Sequence, residues 1–374
     1  MIVLDNTSFE AKSNSNCVEK FVVELCVAVG PTYERAFNET EDLVRYVATT
    51  LNAVALSFAE MTDPGISLLL SGIIRPRNKD IAGRNICGMA LHKQTRHVCA
   101  ADSRDALYAT ARLFEFCDLA HCDILLQLTS ADLAMQTDQT FIIRDVEGLA
   151  FFGEVCTNFS AIVAEDKPLT YSGVRAIAHE IAHSLGASHD GENVTLSVDG
   201  YPHALNCSGQ DGHLMRPDSN GNMQGLSNCT KAQIKLRVST LPPTCIETHT
   251  KENYSNYFYP GQNMTPERFC QTMYPQYKDL ETSYPFDSVE QCNITCCWTP
   301  DPAVTQERWD IATEDSGSYY DFSYEGEPKK CLPHILPEAT RCGENKTCFQ
   351  GVCGEHNWTE IYNRYHTYRT FKAL

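Results

Sequence analysis

Residues 176–191 read AIAHEIAHSLGASHDG, and this stretch carries the clearest chemical signal in the 374-residue chain. His179 and His183 are four positions apart, so on a helix they lie one turn above each other on the same face. Two imidazoles on one helix face can bind the same metal ion. The stretch therefore predicts a helix that carries half of a metal site.

The neighbouring residues predict that this site is catalytic. Gly186 follows His183 by three positions, where a residue without Cβ allows the helix to end in a sharp turn. The turn brings His189 round as a third ligand, and three neutral imidazoles leave the fourth tetrahedral position of Zn²⁺ open for water. Glu180 is not needed as a ligand, so its carboxylate is free to take a proton. We predict one zinc ion bound by His179, His183 and His189, with Glu180 as the catalytic residue.

The complete pattern His-Glu-x-x-His-x-x-Gly-x-x-His-Asp is far more specific than its first five residues. Its six fixed positions should arise by chance in a chain of this length with odds on the order of one in 10⁵. The alternative interpretation, three histidines that are simply hydrogen-bonded in a core helix and loop, is weaker for that reason. A methionine, Met215, follows His189 by 26 residues in the segment Asp211-Gly-His-Leu-Met215-Arg-Pro217.

The extended zinc motif followed by a methionine-containing turn resembles the metzincin metalloproteases. Asp190 directly after the third histidine and Pro217 two residues after the methionine resemble the reprolysin (adamalysin) branch. Gly148-Leu-Ala150, Leu226-Ser-Asn-Cys229-Thr and Cys245-Ile match that branch as well. Within it, the chain is most similar to tick salivary metalloproteases and scorpion venom antareases. The segment from Arg341 to Cys353 is similar to the cysteine-rich region of ADAMTS-type proteins.

This resemblance implies a role for further residues. Met215 would form a hydrophobic floor beneath the metal, and a buried Asp190 would orient the loop through hydrogen bonds. Residues 148–153 would form an edge strand that pairs antiparallel with the substrate backbone. The family's disulfides would correspond to Cys156–Cys245 and Cys207–Cys229, which leaves six cysteines of the catalytic part without an assigned partner.

The resemblance also implies a site for a second cofactor, a calcium ion. Glu24 and Asp123 occupy the positions of two family calcium ligands. The third position is Thr248, where the family has Asn or Asp, and this replacement argues against calcium.

Hydrophobic patterning around the motif predicts an α/β fold with a mixed, mostly parallel sheet. Buried strands are expected at residues 21–29, 66–74 and 124–129, with one or two more within 148–163. Helices are expected at residues 43–58 and 103–117, and strands that alternate with helices are typical of parallel sheets. The resemblance implies the same fold, a metzincin (zincin-like) catalytic domain with an active-site helix.

The cysteines divide the chain into two parts. Ten of the 18 cysteines lie up to Cys245 and eight lie beyond it, so each part can close its own bridges. Beyond residue 245 the apolar periodicity fades, and Tyr, Pro, Asn and Cys predominate. We predict an N-terminal remnant at 1–17, a reprolysin-type metalloprotease domain at 18–248, and a small disulfide-rich, cysteine-rich domain at 249–374.

Cysteine and asparagine usage predicts a secreted, extracellular protein. The chain has eleven Asn-x-Ser/Thr sequons, at Asn6, Asn38, Asn158, Asn193, Asn206, Asn228, Asn253, Asn263, Asn293, Asn345 and Asn357. A disulfide framework and glycan acceptors are typical of the secretory pathway, whereas a cytosolic chain with free or metal-bound thiols explains neither. The start, MIVLDNT, lacks the features of a signal peptide, so we expect that peptide to be missing.

Composition excludes two classes of partner. A net charge of −18 does not suit nucleic acid, which is bound through cationic side chains, and no run of apolar residues is long enough for a transmembrane segment. We expect a monomeric zinc metalloendopeptidase of saliva or venom that cleaves extracellular proteins such as fibrinogen, fibronectin or gelatin. The alternative is a non-catalytic receptor-binding toxin that acts through the cysteine-rich domain; the absence of Arg-Gly-Asp weakens its integrin-binding version.

Overall fold

The structure is a computed structural model. It describes residues 18–76, 79–90, 97–117, 119–137, 141–144, 146–194, 196–217, 225–250, 254, 256–283, 292–299 and 329–366. The predicted N-terminal remnant, Asn6 and Asn253 lie outside these residues.

The central element is a five-stranded sheet. Its strands in chain order are β1 (Lys20–Val29), β2 (Gly65–Ile74), β5 (Ile124–Thr129), β8 (Gly148–Ala150) and β9 (Ala161–Glu165). They lie in the spatial order β2-β1-β5-β9-β8, and every pair is parallel except β8 with β9. The predicted mixed, mostly parallel sheet is confirmed, and each of its predicted strands is present.

Alternating side chains of the strands cover both faces of this sheet. On β1, Phe21, Val23 and Leu25 face one side, where they join the largest hydrophobic cluster. Cys26 and Ala28 face the other side and join a smaller one. Both faces are buried, as expected for parallel strands that are covered by helices.

Helices flank the sheet on both sides. They are α1 (Pro31–Glu34), α2 (Thr40–Leu56), α3 (Ser103–Ala111), α4 (Leu113–Phe116), α5 (Val174–Ser184), α6 (Asn228–Ser239) and α7 (Pro243–Ile246). The single helix predicted at 103–117 is instead two helices, α3 and α4, separated at Arg112. α5 is the predicted active-site helix, and its buried residues Ile177 and Ile181 pack into the largest cluster. That burial fixes which face of α5 is left for the histidines.

Four short strands form a feature that the sequence did not reveal. β3 (Asn85–Ala90), β4 (His97–Asp102), β6 (Leu133–Gln136) and β7 (Phe141–Ile143) pair into a closed ring. Cys87 and Cys99 lie directly opposite each other on β3 and β4 and form a disulfide. These strands are three to six residues long, too short for a clear period-two pattern.

The remainder of the described chain is built from small sheets. It contains α8 (Pro266–Met273), β10 (Glu281–Ser283), β11 (Asn293–Trp298), β12 (Lys330–Ile335), β13 (Arg341–Gly343), β14 (Lys346–Phe349), β15 (Val352–Gly354) and α9 (Trp358–His366). Its main hydrophobic cluster is small and consists largely of cysteines. Its four disulfides are Cys270–Cys296, Cys292–Cys348, Cys297–Cys331 and Cys342–Cys353.

The disulfide pattern agrees with the division of the cysteines at residue 245. Both pairs implied by the resemblance, Cys156–Cys245 and Cys207–Cys229, are present. The pairs Cys26–Cys122 and Cys87–Cys99 were not assigned from the sequence. No disulfide among the described residues joins the two parts of the chain, and the predicted domain boundary stays a prediction.

Along the part of the chain that the structure describes, no helix is long and apolar enough to cross a membrane.

Candidate active site

Helix α5 presents two histidines from consecutive turns, as the four-residue spacing predicts. The ring centroids of His179 and His183 are 4.6 Å apart. α5 ends at Ser184, and Gly186 then adopts a φ of +87°, a conformation that favours glycine because it has no Cβ. The Gly186 N–H donates to the carbonyl oxygen of His183. This turn reverses the chain and brings His189 back to the helix.

The three imidazoles converge on one point. The Nε2 atom of His189 lies 3.1 Å from Nε2 of His179 and 3.2 Å from Nε2 of His183. Three ligands about 2.0–2.1 Å from a tetrahedral zinc ion lie roughly 3.3 Å apart, which is close to these distances. The predicted ligands are therefore brought together, and their spacing fits a zinc ion.

The outer nitrogens of the rings fix their tautomers. Nδ1 of His179 lies 2.9 Å from the carbonyl oxygen of Leu214, and Nδ1 of His183 lies 2.7 Å from that of Ala187. Since a carbonyl oxygen can only accept, each Nδ1 carries the hydrogen and each Nε2 keeps its lone pair for a metal. Burial lowers the pKa of His179 to about 4 and holds the pKa of His183 well below 6.5. Both imidazoles therefore stay neutral at physiological pH, as metal ligation requires.

Glu180 lies beside the histidines in a buried position. Only 6% of the residue is exposed. Burial, with a smaller contribution from the charge of Glu147, raises the pKa of Glu180 to about 8. A cation held by the neighbouring imidazoles would favour the ionised form again. The carboxyl group can therefore exchange a proton near neutral pH, as a general acid or base requires.

A tightly bonded turn supports the histidines from below. The N–H of Asp190 donates to the carbonyl oxygen of Met215, and the preceding residue, Leu214, accepts from His179. Met215 is fully buried and Asp190 is 2% exposed. The Ser227 hydroxyl donates to the Asp190 carboxylate over 2.6 Å. The buried, hydrogen-bonded Asp190 that the resemblance implied is thus present, whereas the role of Met215 as a floor stays a prediction.

The expected edge strand is shorter than predicted. β8 ends at Ala150, so Gly153 is not part of the strand. The Gly153 N–H donates to the carbonyl oxygen of His183, and the Gly153 carbonyl oxygen accepts from the Arg237 side chain. These bonds turn the chain away from the sheet before residue 153 and over the end of α5. Phe152, just before this turn, lies edge-on to the ring of His183.

Sequence reasoning missed two contacts of the site, one made by Gly148, which was predicted only as part of the edge strand, and one made by Glu192. Gly148 lies so close to Glu180 that a Cβ built on it would be 2.7 Å from Cγ of Glu180. Glu192 lies 3.1 Å, oxygen to nitrogen, from Nδ1 of His189. Neither contact follows a repeating pattern, because each depends on how separate elements or a loop fold together.

The calcium position is occupied by main-chain donors. Glu24 is fully buried, and its two carboxylate oxygens accept hydrogen bonds from the N–H groups of His249 and Thr250 over 2.7 and 2.6 Å. The Asp123 carboxylate accepts from the N–H of Glu24 over 2.7 Å. Thr248, the third family position, is exposed. Calcium requires an oxygen shell, whereas these carboxylates already face N–H donors, so the arrangement does not fit calcium.

Replacing Glu24 by glutamine should lower the free energy of unfolding by about 1–3 kcal/mol, because the new NH₂ group would face a main-chain N–H and leave a buried donor unpaired. Millimolar Ca²⁺ should leave the melting temperature of the wild type unchanged. Thermal and denaturant unfolding measure both effects, with Glu247→Gln, at an exposed position, as the control. A calcium-dependent rise in melting temperature that is lost in Glu24→Gln would contradict this interpretation.

Comparison with known proteins agrees with the geometry of the site. A family model described as metallo-peptidase family M12 (Reprolysin_5) matches residues 19–227, more than half of the chain. This range contains the three histidines, Glu180 and the turn at Met215.

Curated relatives extend the likeness. An insect protein named "A disintegrin and metalloproteinase with thrombospondin motifs like", from Bombyx mori, is 26% identical over 325 residues, which is 83% of this chain and 40% of that protein. A venom metalloproteinase of the scorpion Olivierus martensii is 26% identical over 239 residues, 62% of this chain and 54% of its own. An antarease-like venom metalloproteinase of Tityus serrulatus is 29% identical over 126 residues, 33% of this chain and 54% of its own. The chain thus spans about half the length of these relatives or less.

Proposed function

The chain belongs to metallo-peptidase family M12, and on that premise we propose that it is a secreted zinc metalloendopeptidase that hydrolyses peptide bonds of extracellular proteins. The observation that carries this proposal is the convergence of three imidazoles: the Nε2 atoms of His179 and His183 lie 3.1 and 3.2 Å from Nε2 of His189. Glu180 lies beside them. His179, His183 and His189 would hold the zinc ion. When bound, zinc supplies a Lewis acid that makes water nucleophilic at neutral pH and polarises a peptide carbonyl.

The protein's own residues would handle the proton. An ionised Glu180 takes a proton from the attacking water onto a carboxylate oxygen and then passes it to the nitrogen of the leaving amine. The burial of Glu180 keeps competing bulk water away from the carboxylate, so the proton is not lost to solvent between the two steps.

The free edge of β8 would bind the substrate backbone. Glu147 and Phe151 are bonded to β9, through Glu165 N–H to the carbonyl oxygen of Glu147 and Phe151 N–H to that of Ala161. Because antiparallel pairs alternate, the main-chain groups of Gly148 and Ala150 point away from β9. An extended peptide can add to these groups as a further antiparallel strand.

An extracellular location agrees with the covalent and surface features of the chain. Eight disulfides lie within the described residues, and disulfides form and persist in an oxidising compartment. Among sequon asparagines in those residues, Asn293 is half-buried and the others are exposed. Fibrinogen, fibronectin and gelatin remain hypotheses for the substrate.

Zinc removal tests the proposal. We expect the protein to cleave casein, a general protein substrate, and to lose that activity completely after treatment with a chelator that is then dialysed away. Stoichiometric zinc should restore the activity. Cleavage by a preparation free of zinc, as measured by atomic absorption, would contradict the assignment. Parallel digests of fibrinogen, fibronectin and gelatin test the substrate hypothesis separately, since casein cleavage without cleavage of these proteins removes only that part.

A further inference from the structure

The three histidines differ in what holds their outer nitrogens. Nδ1 of His179 and Nδ1 of His183 each donate to a main-chain carbonyl oxygen, from Leu214 and Ala187 respectively. Nδ1 of His189 instead lies 3.1 Å from Oε1 of Glu192. Among the described residues, it is the one candidate ligand whose second nitrogen contacts a charged side chain.

The backbone from His189 to Glu192 is fixed by hydrogen bonds from each of the three residues that follow the histidine. Asp190 N–H donates to the carbonyl oxygen of Met215, Gly191 N–H to that of Ala204, and Glu192 N–H to that of His189 itself. Gly191 has a φ of +87°, so the chain reverses there and carries Glu192 back to the ring three residues earlier. The Glu192 side chain therefore meets His189 from a loop that is held in place.

We propose that Glu192 is a positioning residue for zinc, which acts through His189. An ionised carboxylate can only accept, so it holds the hydrogen of His189 on Nδ1 and leaves the Nε2 lone pair directed at the other two rings. The negative charge of Glu192 also increases the electron density on Nε2 of His189, which makes this atom a stronger ligand for a cation. A main-chain carbonyl oxygen, which contacts Nδ1 of the other two histidines, has a smaller effect of this kind. The inference rests on the proposed zinc function.

The plain alternative is an ion pair of little consequence. Glu192 and His189 are three positions apart, and their side chains are 45% and 27% exposed. Exposed pairs of this kind contribute little to stability. The two interpretations differ in zinc affinity, because a surface ion pair would leave it unchanged.

Zinc affinity measured by competition with a fluorescent chelator tests the proposal on the full chain. Glu192→Ala should bind zinc about 10- to 100-fold more weakly than the wild type. Glu192→Gln should fall between them, since its amide oxygen still accepts the Nδ1 hydrogen but carries no charge. Glu344→Gln, at an exposed position between β13 and β14, should match the wild type. The zinc-induced rise in melting temperature should follow the same order.

The outcomes separate this inference from the proposed function. If the wild type binds zinc and Glu192→Ala binds it equally well, the role of Glu192 is wrong and the zinc function stands. If Glu192→Gln is as weak as Glu192→Ala, charge rather than tautomer carries the effect, which supports the electrostatic half of the proposal. If the wild type binds no zinc, the proposed function itself is wrong, and the role of Glu192 with it.

Discussion

Replacing Glu180 by glutamine should lower kcat/KM for casein or a peptide substrate by about 10²- to 10⁴-fold, the range that a positioned general acid or base contributes. Glutamine keeps the size of the side chain, so it should fit between α5 and β8 without disturbing either. It cannot accept a proton from the attacking water at neutral pH. The loss should therefore appear in kcat, with little change in KM.

Zinc content separates this effect from damage to the metal site. Glu180→Gln should keep one zinc ion per chain, because the three proposed ligands are histidines, whereas His183→Ala should lose both the zinc and the activity. Circular dichroism checks that each variant is folded. A zinc-loaded Glu180→Gln enzyme that retains more than a tenth of the wild-type kcat/KM would contradict the role of Glu180 as general base.

The sequence predicted the parts of this molecule that local patterns specify. Apolar runs such as residues 21–29 and 124–129 marked the strands of the main sheet, because strands buried on both faces are almost wholly hydrophobic. The spacing of His179 and His183 placed two candidate ligands on one helix face, and Gly186 marked the turn to His189. Each of these signals lies within a few residues of the feature it predicts.

The features that were missed depend on contacts between distant elements. The ring of β3, β4, β6 and β7 is made from strands of three to six residues, and its pairing is decided by neighbours rather than by periodicity. The Glu24 carboxylate meets the N–H groups of His249 and Thr250 more than 220 positions away, as the separations of 225 and 226 show. No local pattern contains such a contact.

The contact between Gly148 and Glu180 is of the same kind, and it leads to the second large expected effect. A Cβ at position 148 would lie 2.7 Å from Cγ and 2.9 Å from Oε1 of Glu180, and 2.9 Å from the carbonyl oxygen of Val163 on β9. The Val163 oxygen belongs to the backbone, so the strand and the Glu180 side chain would both have to move. Since Glu180 is buried, its carboxylate has little room to do so.

Replacing Gly148 by alanine should therefore lower kcat/KM by about 10²-fold, the cost of a displacement near 1 Å in a catalytic group. Part of the loss should appear in KM, because Gly148 also belongs to the edge that would bind substrate. Zinc affinity should stay at the wild-type value, since the three atoms nearest to the added methyl group belong to Glu180 and Val163 and none belongs to a histidine. Steady-state kinetics on the zinc-loaded enzyme and chelator competition measure the two effects.

Gly30→Ala is the matched control, because a Cβ at position 30 would have no heavy atom within 4 Å apart from those of Gly30 and its two chain neighbours, and the backbone there is extended. It should leave both kcat/KM and zinc affinity unchanged.

Overpacking at position 148 should also cost about 1–3 kcal/mol of stability, so the kinetics need a temperature at which the variant is folded. Wild-type kcat/KM in Gly148→Ala would mean that Glu180 can move aside freely. The close packing of the Glu180 carboxylate against β8 would then have no part in catalysis. A loss of zinc in Gly148→Ala would mean that the substitution disturbs the histidines, and the loss of activity could then not be assigned to the displacement of Glu180.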